Sequence, residues 1–188
     1  MGKETPSLQL ALSRPGQPTT LRATFPSGAT VTENGVSLTP AQAKEPPTWS
    51  VPGTLAKPGQ KYMVLATDLD APFPSLPLLG PILHGLQLDL TASSSKGPDD
   101  GGWTALETSA KPVVPYIGPG PPPMSSAHRY VFMLFEQPEG LDAGKVRGLL
   151  GLKEEIPVTS RMFWKQEQAE AKMGLGKAVA GCYFLSKA

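Results

Sequence analysis

A single cysteine, Cys182, stands in the 188 residues, which excludes an internal disulfide and every cysteine-rich zinc module. It lies in an apolar run, where a buried, inert thiol is expected. Charge is also scarce: charged residues make up 18% of the chain and the net charge is +1. No basic field exists to hold a nucleic-acid backbone, so no nucleic-acid partner is expected. Asn34 is the only asparagine, and Asn34-Gly35-Val36 is not a glycosylation sequon. The opening MGKETPSLQL lacks the apolar core of a secretion signal, and Pro6 occupies the position where a myristoylation motif needs Ser or Thr. A cytoplasmic location is expected, with secretion after loss of a signal as the alternative. The 18 residues between Asp70 and Asp89 carry no Asp, Glu, Lys or Arg, which is the length of a membrane span. Pro72, Pro74, Pro77 and Pro81 within them rule out a spanning helix, so no transmembrane segment is expected. What the chain has instead is 22 prolines and 20 glycines, spread between apolar runs. That content excludes a helix bundle or coiled coil, and the spread argues against wholesale disorder.

The order of elements points to strands first and helices late. Leu21–Phe25 alternates as a strand, and Thr32–Val36 carries an Asn-Gly turn of hairpin type. Residues 40–59 hold five prolines around Trp49 and read as extended chain and turns. Tyr62–Ala66 is a continuous apolar run, as expected of a strand buried on both faces. Leu86–Leu90 alternates, giving a strand with one wetter face, and residues 92–102 form a solvated loop. The stretch 112–123, with six prolines and two glycines, is a rigid shaped loop. Tyr130–Phe135 is the strongest central-strand signal. Asp142 caps a helix over 143–150 with Val146, Leu149 and Leu150 inward, and Ser160 caps a second over 161–173 that stops at Gly174. Ala178–Leu185 is a last buried strand. The expectation is one domain over 1–188, mostly β or α+β, built around an antiparallel sheet.

Few residues are equipped for chemistry. His84 and His128, the only histidines, each sit at the head of an expected strand. Thr67-Asp68-Leu69-Asp70-Ala71-Pro72 ends another strand with two carboxylates. Alternation places Asp68 and Asp70 on one face, and His128 with Tyr130 on one face opposite Arg129. Gly118-Pro119-Gly120-Pro121-Pro122 lies between, with glycines that let backbone N–H groups approach a ligand and prolines that freeze the loop.

These segments in order, DLDAP, then the His of LHGLQLDL, then YIGPGPP, then HRYVFMLFEQ, resemble the phosphatidylethanolamine-binding protein family, which includes Raf kinase inhibitor protein and the plant flowering regulators. The likeness extends to LTPAQAKEPPTWSV upstream and GCYF near the end, roughly residues 20–185. It implies a central antiparallel sheet, a second smaller sheet, peripheral helices and a small anion pocket at one end of the sheet. Carried over residue by residue, the ligand-binding set is Asp68, Asp70, Pro72, His84, Gly118, Gly120, Pro121, His128 and Tyr130. The resemblance also implies a cis Ala71–Pro72 bond. In this reading carboxylates raise the imidazole pKa so that a charged histidine donates to an anion, with Gly120 N–H and the Tyr130 hydroxyl as neutral donors. Arg129 is expected in a buried ion pair, while Asp68 and Asp70 have the alternative role of bracing loops and orienting the histidines.

The chain also departs from the family pattern. Leu69 replaces a proline, and Ile82-Leu83-His84 replaces a Trp-His-His sequence. The apolar stretch Phe73–Pro81 replaces a charged loop. The chain ends at Ala188, without the helix that carries a pocket tyrosine in animal members. A more open, greasier mouth follows, suited to an anionic head with an apolar body. Three functions are compatible. The first is a binding module for a small anion, either a phospholipid headgroup or a carboxylate metabolite. The second is a cofactor-free, metal-free enzyme of secondary metabolism, in which His84, His128, Asp68 and Asp70 do acid–base work on an anionic polyketide-type substrate, as in maleidride dimerisation. The third is a regulator of a kinase or protease, with a protein partner. Oligomeric state is not legible.

Overall fold

Two strands form the middle of the sheet because both of their faces are apolar. In the computed structural model, which describes residues 5–93 and 101–188, these are β5 (Lys61–Asp68) and β8 (His128–Glu136). Around them the chain lays down α1 (Pro6–Ala11), β1 (Pro18–Thr24), β2 (Thr30–Glu33), β3 (Val36–Ser37), β4 (Thr48–Pro52), β6 (Ile82–Ala92) and β7 (Trp103–Glu107). Then follow α2 (Ala143–Leu150), a 3-10 turn (Val158–Arg161), α3 (Gln166–Met173) and β9 (Ala180–Ser186). The strand order is β2-β1-β4-β7-β6-β5-β8-β9-β3, antiparallel throughout except for β3 beside β9. The link between β6 and β7 is only the pairs Thr91–Glu107 and Ala92–Leu106, so the β2-β1-β4-β7 half acts as the smaller sheet and folds over the larger one. Thr20 on β1 exchanges hydrogen bonds with the backbone of Gly181 on β9, and Phe25 meets Phe184 edge to face at 5.6 Å.

One core therefore lies on each face of the large sheet. Tyr62, Val64 and Ala66 of β5 and Tyr130, Phe132 and Leu134 of β8 face Leu21, Val31 and Val51 of the small sheet. The alternate residues Met63, Leu65, Val131, Met133 and Phe135 face Leu8, Val146, Ala169 and Met173 of the three helices. Cys182 is buried in the first core, and burial pushes its thiol pKa up.

Several expectations need correction. The Asn34-Gly35 turn forms, with Gly35 at φ 81°, but no hairpin follows: β3 leaves β2 and pairs parallel with β9. Asn34 explains this, because its side chain accepts from Tyr183 N and donates to Ser13. Helix α2 has the Asp142 cap and ends at left-handed Gly151, but Leu149 is exposed. The second helix is broken. Ser160 sits inside the 3-10 turn, Phe163 takes φ 57°, and α3 starts only at Gln166. There the backbone turns outward to bond elsewhere: Phe163 N donates to Leu79 O and Trp164 N to Pro81 O. Helix α1 has no counterpart in the sequence reading, although Thr5 caps it and Pro6 opens it. The loop expected over 92–102 lies largely outside the described residues.

Candidate functional site

The cavity at the end of the sheet is built by irregularity in β6. Ala66 pairs with Gly85 but Thr67 pairs with Leu83, so His84 is the extra residue of a bulge. The bulge turns its ring to the Tyr130 face, where the two rings meet edge to face at 5.1 Å. A second shift nearer the far end, with Asp89 at φ 57°, moves Leu90 to the opposite core from Leu86 and Leu88. The alternation expected over 86–90 holds in burial, with Gln87 and Asp89 wetter than the leucines, but the leucines serve two cores.

Asp68 ends β5, and its carboxylate accepts from the Asp70 backbone N–H at 2.8 Å and from His128 Nδ1 at 2.8 Å. The other ring nitrogen of His128 faces Ser125 Oγ at 2.9 Å and the Pro72 carbonyl at 3.1 Å. Both nitrogens of His128 are thus occupied inside the protein. Asp–His–Ser connectivity of this kind suggests a nucleophile, but Ser125 is buried and is not part of the cavity wall. The chain of bonds fastens the loop before β8.

Asp70 leaves the face that alternation assigned to it, because the strand stops at Asp68. It forms a bidentate pair with Arg129, with Nε to Oδ2 at 2.9 Å and Nη2 to Oδ1 at 2.6 Å, and also accepts from the Arg129 backbone N–H. Asp70 and Pro121 are buried outside the cavity wall.

The cavity has a volume of about 380 Å³, and Asp68, Pro72, His84, Gly118, Gly120, His128 and Tyr130 all contribute to its wall. Leu79 of the apolar stretch 73–81 is in the wall; sequence reasoning missed Ile82, Ile117, Pro122, Val158 and Met162, which with Ala71 make the rest of it mainly apolar. The Ala71–Pro72 bond is cis, and so is Gly80–Pro81. Large apolar side chains are exposed beside these wall residues: Phe73, Leu76, Leu78, Met124, Val158 and Phe163.

Electrostatics here differ from the expectation of a charged imidazole. His84 is buried, and desolvation holds its pKa below the ordinary value, outweighing its hydrogen bond to the Ile117 carbonyl and the charge of Asp68. Its Nδ1 faces the Ile117 carbonyl at 2.8 Å, so it carries the proton, and Nε2 is a lone-pair acceptor without a partner among the described residues. The Tyr130 hydroxyl is buried, and Asp68 and Gly120 approach it without the alignment of a hydrogen bond. Burial and Asp68 push its pKa up, so it stays protonated. Among the described residues no three His, Cys, Asp or Glu side chains gather to hold a metal.

A sequence profile of the family described as phosphatidylethanolamine-binding protein matches residues 18–183. The chain belongs to that family. Among curated relatives of this family member, Phomoidride biosynthesis cluster protein N of Talaromyces stipitatus is 34% identical over 129 residues, 67% of this chain and 59% of that protein. An uncharacterized protein of Saccharomyces cerevisiae is 39% identical over 85 residues, 44% of this chain and 39% of that protein. The chain thus spans less than two thirds of the length of either relative. The fold is shared with a carboxypeptidase Y inhibitor, solved in complex with its cognate proteinase, at a TM-score of 0.67 and 22% identity over 91% of this chain and 84% of that one. A phosphatidylethanolamine-binding protein from Plasmodium vivax gives a TM-score of 0.63 at 16% identity over 89% and 84%. No helix among the described residues is long and apolar enough to cross a membrane.

Proposed function

We infer that the protein binds a small amphiphilic acid, with the acidic head inside the 380 Å³ cavity and the apolar body across its rim. The observation that carries this reading is His84, a buried neutral imidazole with Nε2 open and unpaired in a largely apolar cavity. Nε2 accepts from a protonated acid, and the Tyr130 hydroxyl, buried without a partner, donates to an ionised one, so either form of an acidic head is met. The Tyr130 hydroxyl and the Gly120 backbone stand beside it as further polar groups. Exposed apolar side chains next in the chain to wall residues, Phe73, Leu78 and Phe163, support an apolar ligand body. A lipid headgroup and a free carboxylic acid share the chemistry this site reads. Native mass spectrometry of the purified protein, with organic extraction of what co-purifies, separates those two. The expected result is an acidic amphiphile present in the wild type and absent from His84→Ala. A wild type that neither carries such a molecule nor binds octanoate in calorimetry refutes the reading.

A second reading is favoured by the same open Nε2 and by the name of the Talaromyces relative. Held neutral beside Asp68, His84 is poised to take a proton from a bound anionic polyketide-type substrate, which makes the protein a cofactor-free enzyme of secondary metabolism. That reading requires His84→Gln to abolish turnover of a maleic-anhydride-type acid while leaving its binding in place. Unchanged turnover in the variant rejects it.

A further inference from the structure

Arg161 ends the 3-10 turn and is only 5% exposed. Its Nε donates to the Ile156 carbonyl at 3.2 Å and its Nη1 to the Pro115 carbonyl at 2.8 Å. Nη2 has no partner, and no carboxylate among the described residues forms an ion pair with this guanidinium. Buried cations are ordinarily matched by an anion, because two neutral carbonyls do not replace the lost hydration of a full charge. Arg161 is not itself part of the cavity wall, but the residues around it are. Val158, three residues before it, and Met162, the next residue, both line the cavity. Its Pro115 partner is two residues from Ile117, whose carbonyl holds His84. Arg161 and His84 are thus held by carbonyls of one short segment. The Arg161 charge is felt at His84, where it opposes protonation. Asp68 is already engaged by His128 and Asp70 by Arg129, so neither neutralises it.

We propose that Arg161 sets the charge of the ligand: the cavity takes an anion because this guanidinium awaits one. The inference deepens the reading of an acidic ligand given above and rests on it. Arg161 reads charge while His84, being neutral, does not, which accounts for an anion site without a charged histidine. The probes are octanoate and its neutral isostere octanamide, titrated calorimetrically into wild type, Arg161→Gln and Arg161→Lys. Wild type is expected to prefer octanoate by about 10- to 100-fold, the span of a hydrogen bond to a charged group. In Arg161→Gln that ratio collapses towards unity while octanamide affinity is kept, and Arg161→Lys restores part of the ratio. An unchanged ratio, or an equal loss for both ligands, means that Arg161 only braces Pro115 and Ile156, and overturns the proposal. A wild type that binds neither probe, or both alike, removes the acidic-ligand reading itself. Should Arg161→Gln not fold, nitrogen-detected NMR of the wild-type guanidinium decides. Its resonances move with octanoate and not with octanamide, and no movement at saturating octanoate overturns the proposal.

Discussion

Replacing Gly118 by alanine puts a methyl 2.8 Å from the Lys44 carbonyl oxygen, 2.9 Å from Lys44 Cα and 3.1 Å from the Ala43 carbonyl oxygen. All three neighbours are backbone, so no side chain can swing aside. Gly120, two residues on in the same loop, has nothing within 4 Å of the same position. Neither glycine has a positive φ, so alanine carries no dihedral strain at either site. Both substitutions stiffen the unfolded chain alike, by about 0.4–1 kcal/mol in favour of folding. The difference between the two variants therefore isolates the steric clash, for which overpacking costs of about 1–3 kcal/mol apply. For a chain of this size, ~2–4 °C in Tm corresponds to each kcal/mol. Differential scanning calorimetry is expected to place Gly118→Ala roughly 4–8 °C below Gly120→Ala, with Gly120→Ala at or slightly above wild type. Equal melting temperatures would refute the close approach of the 118 loop to residues 43–44. A low Tm in both variants would show instead that the loop tolerates no side chain for a reason other than contact.

Three further outcomes follow from the same geometry. Asp70→Asn removes one partner of a pair that is buried on the Asp70 side and about two-fifths exposed on the Arg129 side. After discounting for that exposure, a loss of about 1–2 kcal/mol is expected in urea denaturation. Octanoate affinity is expected to be unchanged, because Asp70 is turned away to Arg129; a parallel loss of binding would mean that the carboxylate reaches the ligand. His84 has a folded pKa below its unfolded value near 6.5, so below that pH the unfolded chain binds a proton more readily than the folded one. Its contribution is complete above about pH 6.5 and is lost as pH falls towards the folded pKa. A plot of stability against pH should therefore fall less steeply below pH 6.5 in His84→Gln than in wild type, and identical slopes would contradict a neutral buried imidazole. Val158→Ser, at a half-exposed rim position, is expected to leave Tm near wild type and weaken octanoate severalfold while sparing acetate. Equal effects on both acids would place the apolar body elsewhere.

The central strands were legible because their residue types satisfy two faces at once: Tyr62–Ala66 and Tyr130–Phe135 offer apolar side chains at every position, and the sheet accepts them in the middle. Cap chemistry made α2 legible through Asp142 and the stop of α3 through Gly174. The start of α3 was not, because the break at Met162–Trp164 is stabilised by carbonyls of Leu79 and Pro81, some eighty residues earlier. Which face His84 and Leu90 take was not legible for a related reason, since a bulge adds a residue that the one-dimensional pattern does not show. At the site, the ordered motifs located Asp68, His84, Gly118, Gly120, His128 and Tyr130 around one cavity. They did not reveal that Asp70 turns to Arg129, that both His128 nitrogens are spent, or that His84 is uncharged. Those facts depend on which partner each polar atom meets in three dimensions. Val158, Arg161 and Met162 had no local signal at all: nothing in ValThrSerArgMet announces that the segment closes over a strand end far away in the chain.

The segments that frame the mouth have a kinetic consequence. Residues 71–88 and 112–127 contain no Asp, Glu, Lys or Arg, so these two segments add no charge of their own to the entrance. Steering by these segments is then absent, and the association rate constant should respond only weakly to ionic strength. Discrimination between an acid and its neutral counterpart arises only after entry, where the guanidinium of Arg161 is shielded from mobile ions. The protein would admit apolar visitors without regard to charge and differ among them in how long each one stays.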